Sequence, residues 1–229
     1  MTEWIVDLLP LALLGGVLGL DVVCFPQAMV SRPLVAATAA GAFVGQPMQG
    51  LMIGVTLELI ALETLPFGAS RYLEWGSAAV VGGALFSDSA PNTAGGMTTA
   101  VLGATATAWA GSYSMVRLRE LNARWARARL PRLERGSGRT VIGLQVAGLT
   151  ADLVRGGLLT FAALAVLRPL ARLAISDWGT SPVASRAFVT GVAATVAAAA
   201  AWKIFHSTAG ARWFFLGGIA AGLSLLALR

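Results

Sequence analysis

Apolar residues run through this chain in long blocks, and the polar residues between them fall into a few short clusters. Six blocks are long enough to read as membrane-spanning helices: residues 4–23, 48–65, 93–115, 141–167, 187–205 and 213–228. Two others, 34–44 and 77–86, hold only about ten apolar residues each, too few for a hydrocarbon core that takes roughly 20 at 1.5 Å rise. Neither 34–44 nor 48–65 has the polar face of a surface helix in a soluble protein. The pattern predicts an all-α polytopic membrane protein of about six spanning helices and two short helical segments. Re-entrant hairpins and interfacial helices both fit the short segments.

Composition strengthens that reading. Of 229 residues, 56% are hydrophobic and only 12% charged, with a mean hydropathy of +0.73. A soluble domain carries about 25% charged residues. One core cannot bury so much apolar surface, so lipid must cover the excess. The opening Met-Thr-Glu has no basic stretch, so the first block is expected to be a retained span and not a signal peptide. The single cysteine, Cys24, has no partner for an internal disulfide.

The net charge of +6 is a local property. Arg117, Arg119, Arg124, Arg127, Arg129, Arg132, Arg135 and Arg139 face only Glu120 and Glu134 in the same segment. Lying between two long apolar blocks, and with no aromatic interleaving beyond Trp125, this reads as a cytoplasmic loop obeying the positive-inside rule. Its partial apolar stripe suggests a helix lying on the membrane surface. The chain thus divides into a membrane half at 1–116, a basic segment at 117–140 and C-terminal membrane helices at 141–229. Counting back from the basic segment puts the N-terminus outside. Residues 168–186 read as a polar loop.

The densest chemistry lies in residues 31–69. Arg32-Pro33 opens a short apolar run, Gly45-Gln46-Pro47 breaks it, and the next run carries Glu58 and Glu63 before Pro66. Broken helices with buried carboxylates mark substrate paths in transporters. On a helix Thr56 and Glu58 do not share a face, and Glu58 and Glu63 diverge by about 140°. Arg71 and Glu74, three apart in the next connection, can pair. So can Asp152 and Arg155 inside the 141–167 block, at i and i+3, which lowers the cost of each charge in lipid. A structural lock between helices explains that pair as well as a functional role does.

Several activities are excluded. There is no Gly-rich phosphate loop ending in Lys-Ser or Lys-Thr, hence no ATP site of that kind. There is no Cys/His cluster with metal spacing, and the one histidine, His206, sits at the end of a block, where an interfacial role suits it better than a phosphoryl carrier or a catalytic triad. No cofactor and no nucleic-acid partner is implied, and the chain is expected not to be an enzyme by itself.

Arg32-Pro33, the stretch GVTLELIAL at 54–62 and FGA at 67–69 resemble the enzyme IIC membrane subunit of the mannose/fructose/sorbose class of the bacterial sugar phosphotransferase system. Weaker likeness continues through LTADLVRGG at 149–157 and RWFFLGGIAAG at 212–222. The TLE motif in its context is the most specific part. The sequence departs from the family where Pro66 replaces a common Asn, where Leu73-Glu74 replaces Pro-Asp, and where VVCFPQAMVS lacks the usual acidic and His positions.

The resemblance implies a permease subunit of the bacterial inner membrane. It implies a homologous IID membrane partner, cytoplasmic IIB and IIA subunits that carry out phosphorylation, and assembly as a trimer of heterodimers. A hexose would cross by an elevator-like movement of a core domain. Carried over by position, Glu58 comes first among the sugar contacts, then Thr56 and the neighbourhood of Gln27. Glu63 and Glu74 complete the candidate set. A carboxylate suits this role because each oxygen can accept from sugar hydroxyls. Two other readings stay open: a non-transporting subunit that recruits phosphocarriers, and an ion-coupled transporter with Glu58 or Glu63 as the protonation site.

Overall fold

A computed structural model describes residues 6–22, 24–62, 72–89, 93–176, 181–205 and 210–227. Within them every regular element is a helix: α1 (Leu9–Asp21), α2 (Pro33–Phe43), α3 (Pro47–Ala61), α4 (Trp75–Ser89), α5 (Ala94–Ala128), α6 (Leu130–Glu134), α7 (Gly138–Ser176), α8 (Pro182–Phe205) and α9 (Ala211–Ala227). Glu63, Arg71, the 67–69 motif and His206 lie outside the described residues.

The breaks follow local chemistry. Pro33 and Pro47 stand in the first turns of α2 and α3, where a missing N–H costs nothing and φ is already helical. Between them the turn passes through Gly45 at φ +77°, a left-handed backbone that glycine adopts without strain. The hairpin closes at Gly41 and Gly50. A Cβ on Gly50 would lie 2.4 Å from the Ala37 carbonyl oxygen and 2.9 Å from the Gly41 Cα, so only glycine lets the two backbones meet.

Both short elements are present as short helices. The second is longer than expected: α4 has 15 residues against the ten of the 77–86 run, because Trp75-Gly76 and Ser87–Ser89 continue the turn pattern. Within the described part of the first block, α1 covers 13 residues. Two other expectations are corrected. The basic segment does not begin a separate surface helix: α5 runs unbroken for 35 residues, and Arg117 to Arg127 are its last turns. Residues 168–176 are not a loop either. They extend α7, which runs 39 residues through Pro169, since Arg168 and Arg172 on one face both reach Asp88, at 3.1 and 3.5 Å.

Helix α1 packs against the long helix α7, α4 packs against the two long helices α5 and α7, and the α2–α3 hairpin packs on α4. Helix α1 runs antiparallel to α7, with Gly15 against Thr160 and Gly16 against Leu153. The first turn of α4 meets α5 halfway along, where the Glu74 N–H donates to the Ala108 carbonyl at 3.3 Å. The far ends of α1, α2 and α4 converge on a cavity lined by Asp7, Phe43, Asp88 and Arg168. So α1 to α4 fill only one half of the length of α5 and α7, and their other ends stop together at mid-height. Beyond that level α5 continues for about 30 Å. The core is small-residue rich, with Ala36, Ala37, Ala40, Ala78, Ala79, Gly103 and Ala104 buried around Ile53, Leu57, Leu85 and Phe86.

The outside is apolar. Helices α7 and α8 are long and apolar enough to cross a membrane, and only 22% and 17% of their most apolar stretches are buried within the chain. Leu13, Trp109, Leu158 and Phe214 all face outward, the arrangement expected where lipid replaces water.

Candidate functional site

The mid-height level, where four helix ends stop, holds the polar residues. Asp21 ends α1. Its Oδ1 accepts the Ala28 N–H at 2.7 Å and its Oδ2 the Ser31 N–H at 2.9 Å. These two bonds fold the connecting loop back over the helix end. They hold Gln27 and Met29 at φ 58° and 62°, left-handed conformations that cost a non-glycine residue about 1–2 kcal/mol each. Charge-assisted acceptors of this kind are strong enough to offset that cost.

The loop leads to Arg32, the N-cap of α2, in extended conformation. Its Nη2 forms an ion pair with Glu58 Oε1. The other oxygen, Oε2, accepts the Leu34 N–H at 3.2 Å. A carboxylate near the C-terminal end of α3 therefore caps the positive N-terminal end of α2. The arginine-proline and TLE motifs, 26 residues apart at the paired side chains, are thus two halves of one contact.

Beside this pair is a cavity of about 290 Å³ lined by Asp21, Gln27, Ser31, Arg32 and Trp75, with apolar wall from Pro33, Ala61 and Leu73. An acid, an arginine, an amide, a hydroxyl and an indole face suit a small polyhydroxylated ligand. Amides and hydroxyls both donate and accept, and an aromatic ring covers a non-polar ligand face. Among the described residues no group of acids, cysteine and histidine is placed to hold a metal ion.

Behind the cavity lies a second layer of buried charge. Glu74, adjacent to Trp75, is fully buried; its Oε1 accepts the Ser77 N–H at 3.0 Å while its Oε2 makes no hydrogen bond. An ideal Cβ on Gly19 would be 3.4 Å from Glu74 Oε1 and 3.8 Å from Arg155 Nη2. The same Cβ would lie 2.7 Å from Ser77 Oγ, so the missing side chain is what admits the Ser77 hydroxyl beside them. Arg155 donates from Nε to Asp152 Oδ1 at 2.8 Å and from Nη1 to Ser114 Oγ at 3.0 Å. Cys24 Sγ donates to Asp152 Oδ2 at 3.0 Å. The i,i+3 pairing expected for Asp152 and Arg155 is present, and it joins α7 to α5 and to the loop after α1.

The five candidate residues therefore separate. Gln27 lines the cavity and Glu58 is bonded to a residue that does. Thr56 is not brought to it: it is fully buried, with its hydroxyl donated to the Met52 carbonyl at 3.2 Å, on the helix face opposite Glu58. Glu74 stands behind the wall. Glu63 lies outside the described residues. Sequence reasoning missed Asp21, Arg32 and Trp75 as lining groups. The signal for Asp21 was present, an acid closing an apolar run just before a Pro-containing loop. Trp75 gave none, because nothing local says that the start of α4 faces the end of α1.

Known proteins fit this geometry. A chain of the mannose transporter ManYZ, in a cryo-EM structure with microcin E492 (MceA), superposes with a TM-score of 0.60 at 20% identity over 97% of this chain and 87% of that one. A chain described as a membrane protein gives 0.67 at 19% identity over 100% and 92%. At this identity the likeness shows the fold. No curated protein matches by sequence. The family model for the PTS system sorbose-specific IIC component matches residues 5–227, nearly the whole length, and the chain belongs to that family of membrane permease subunits.

Proposed function

We propose that this chain translocates a hexose across the bacterial inner membrane and presents it for phosphorylation by a partner IIB subunit. The observation that carries the reading is the Arg32–Glu58 pair beside the Asp21–Gln27–Trp75 cavity. Paired this way, the two charges need no further partner in a low-dielectric site, yet each keeps capacity for hydroxyls: Glu58 has spare lone pairs and Arg32 spare N–H groups. Trp75 supplies a ring face, and Gln27 and Asp21 supply directional contacts.

The short helices α1 to α4 form the body that moves as an elevator against its surroundings, carrying the cavity. The α2–α3 hairpin and α4 are its re-entrant elements. The basic end of α5 lies on the cytoplasmic side, following the excess of arginine there, and the opposite end, with the start of α1, faces outward. A homologous IID subunit covers the apolar flank, the pair assembles as a trimer of heterodimers, and IIA feeds phosphate to IIB. This chain holds and releases sugar and does no phosphoryl transfer.

One observation favours the scaffolding alternative: of the described candidates only Gln27 lines the cavity itself. A single experiment separates the readings. Labelled hexoses are given to cells expressing the chain with its IID and IIB partners, and the accumulated label is scored as free or phosphorylated. Phosphorylated label lost on Glu58→Gln is the expected result. Free label that collapses with a protonophore would instead mean ion-coupled transport. No uptake by an assembled complex would leave the scaffold.

A further inference from the structure

A second recess, apolar in the main but carrying several polar groups, lies beyond the loop that carries Gln27. It is a groove of about 460 Å³ between the last third of α5 and the first half of α7, with Asn122 and Trp125 on one wall, Gln145 and Gly148 on the other, and Cys24 and Asp152 at its inner end. Nothing in the functional reading above uses it.

Its lining has a definite chemistry. Asp152 is already neutralised by Arg155 and capped by Cys24. Arg119, the one cation on the walls, lies over the Tyr72 ring at 5.3 Å. The groove as a whole is close to neutral, which disfavours an anionic headgroup. The other polar groups are two side-chain amides and an indole, set in an apolar wall of Met115, Leu118, Leu144 and Leu149. The Asn122 carbonyl oxygen is buried and makes no hydrogen bond, a cost of about 1–3 kcal/mol unless something donates to it. It packs across from Gly148, where a Cβ, if present, would make ordinary contact with the amide at 3.6 Å, so the glycine leaves room beside the amide for one small group. Amides that donate and accept, together with an aromatic face, select a neutral polyhydroxylated ring.

The groove also adjoins the first cavity through one short loop. Val22 and Gln27 line the cavity, while Cys24 between them lines the groove. A ligand leaving the cavity toward the basic end of α5 meets Cys24 next.

We propose that this groove is a second hexose site, a release station between the translocation cavity and the basic end, in which Asn122 and Gln145 hold the hydroxyls and Trp125 covers the ring. The inference rests on the hexose-carrying function proposed above.

Cys24, the chain's one cysteine, is a built-in reporter. In membranes holding the chain with its IID partner, N-ethylmaleimide labelling of Cys24 is followed by mass on this chain, with and without the hexose that the same cells take up. At about ten times the half-protecting concentration, labelling should slow about tenfold, by simple site occupancy. Protection should persist in Glu58→Gln, which disables the first cavity. It should vanish in Asn122→Ala/Gln145→Ala, and in Gly148→Leu, whose side chain enters the groove against the Asn122 amide. Protection lost in Glu58→Gln but retained in both groove variants would place sugar in the first cavity alone and overturn this inference while leaving the proposed function standing. Undiminished uptake with no protection would do the same. Absence of both uptake and protection, with the complex intact, would overturn the two together.

Discussion

Glu58 holds Arg32 with one carboxylate oxygen and the Leu34 N–H with the other. One side chain therefore fixes the mouth of the α2–α3 hairpin and the charge balance at the edge of the cavity. Replacing it with Gln keeps the shape and removes the charge. Hydrogen bonds to charged groups contribute about 1.5–3 kcal/mol, so Glu58→Gln should weaken hexose uptake at least tenfold and lower the melting temperature of the purified chain. Arg32→Lys should be milder in stability than in uptake, because a point ammonium keeps the charge but loses the planar fork. Uptake assays with thermal melts in detergent read both.

Asp21 accepts two backbone N–H groups and so holds Gln27 and Met29 in left-handed backbone. Asp21→Asn leaves one acceptor oxygen where two were used. The loop should relax, and half-saturation for uptake should rise by about tenfold, on the order of 1.4 kcal/mol. Maximal velocity should change less, since the variant disturbs binding geometry more than the moving body. An Asp21→Asn chain with unchanged half-saturation would show that the loop conformation does not depend on this carboxylate.

Among the described residues Arg155 forms the ion pair with Asp152, and it also bonds Ser114. Arg155→Met leaves Asp152 buried without its counter-charge beside buried Glu74. Breaking a buried pair from one side costs about 3–5 kcal/mol. The variant should accumulate poorly or melt well below the parent, while Arg155→Met combined with Asp152→Leu should recover much of the loss. Equal melting of parent and single variant would count against a structural lock here.

The hairpin closes only because Gly50 has no side chain. Gly50→Ala puts a Cβ 2.4 Å from a carbonyl oxygen, and backbone cannot yield as a flexible side chain does. Loss of folded protein is expected, as overpacking costs about 1–3 kcal/mol or more. Gly143 in α7 is the control: nothing lies within 4 Å of its Cβ position, so Gly143→Ala should be neutral or stabilising by about 1 kcal/mol. Paired melting curves of the two variants test the contact directly.

Membrane class, helical content and the breaks at Arg32-Pro33 and Gly45-Gln46-Pro47 were legible in the order of residues. Each depends on a handful of neighbours: apolar run length, a proline without N–H, a glycine free to take φ +77°. The Asp152–Arg155 pair was legible for the same reason, being one helical turn. The extents of α5 and α7 were not. Arginines after residue 116 and Arg168-Pro169 look like loop by composition, but α5 runs on to Ala128 and α7 to Ser176, where Arg168 meets Asp88 from another helix.

Sequence by itself determined that this chain lives in lipid as short and long helices, because burial of apolar surface and satisfaction of backbone polar groups are decided locally there. Only the tertiary structure decided which polar groups meet. Glu58 with Arg32, Cys24 with Asp152 across 128 residues, and Trp75 with the end of α1 are set by how glycine- and alanine-rich faces pack. Packing of near-identical small faces leaves no charge or period in the sequence from which those partners can be read.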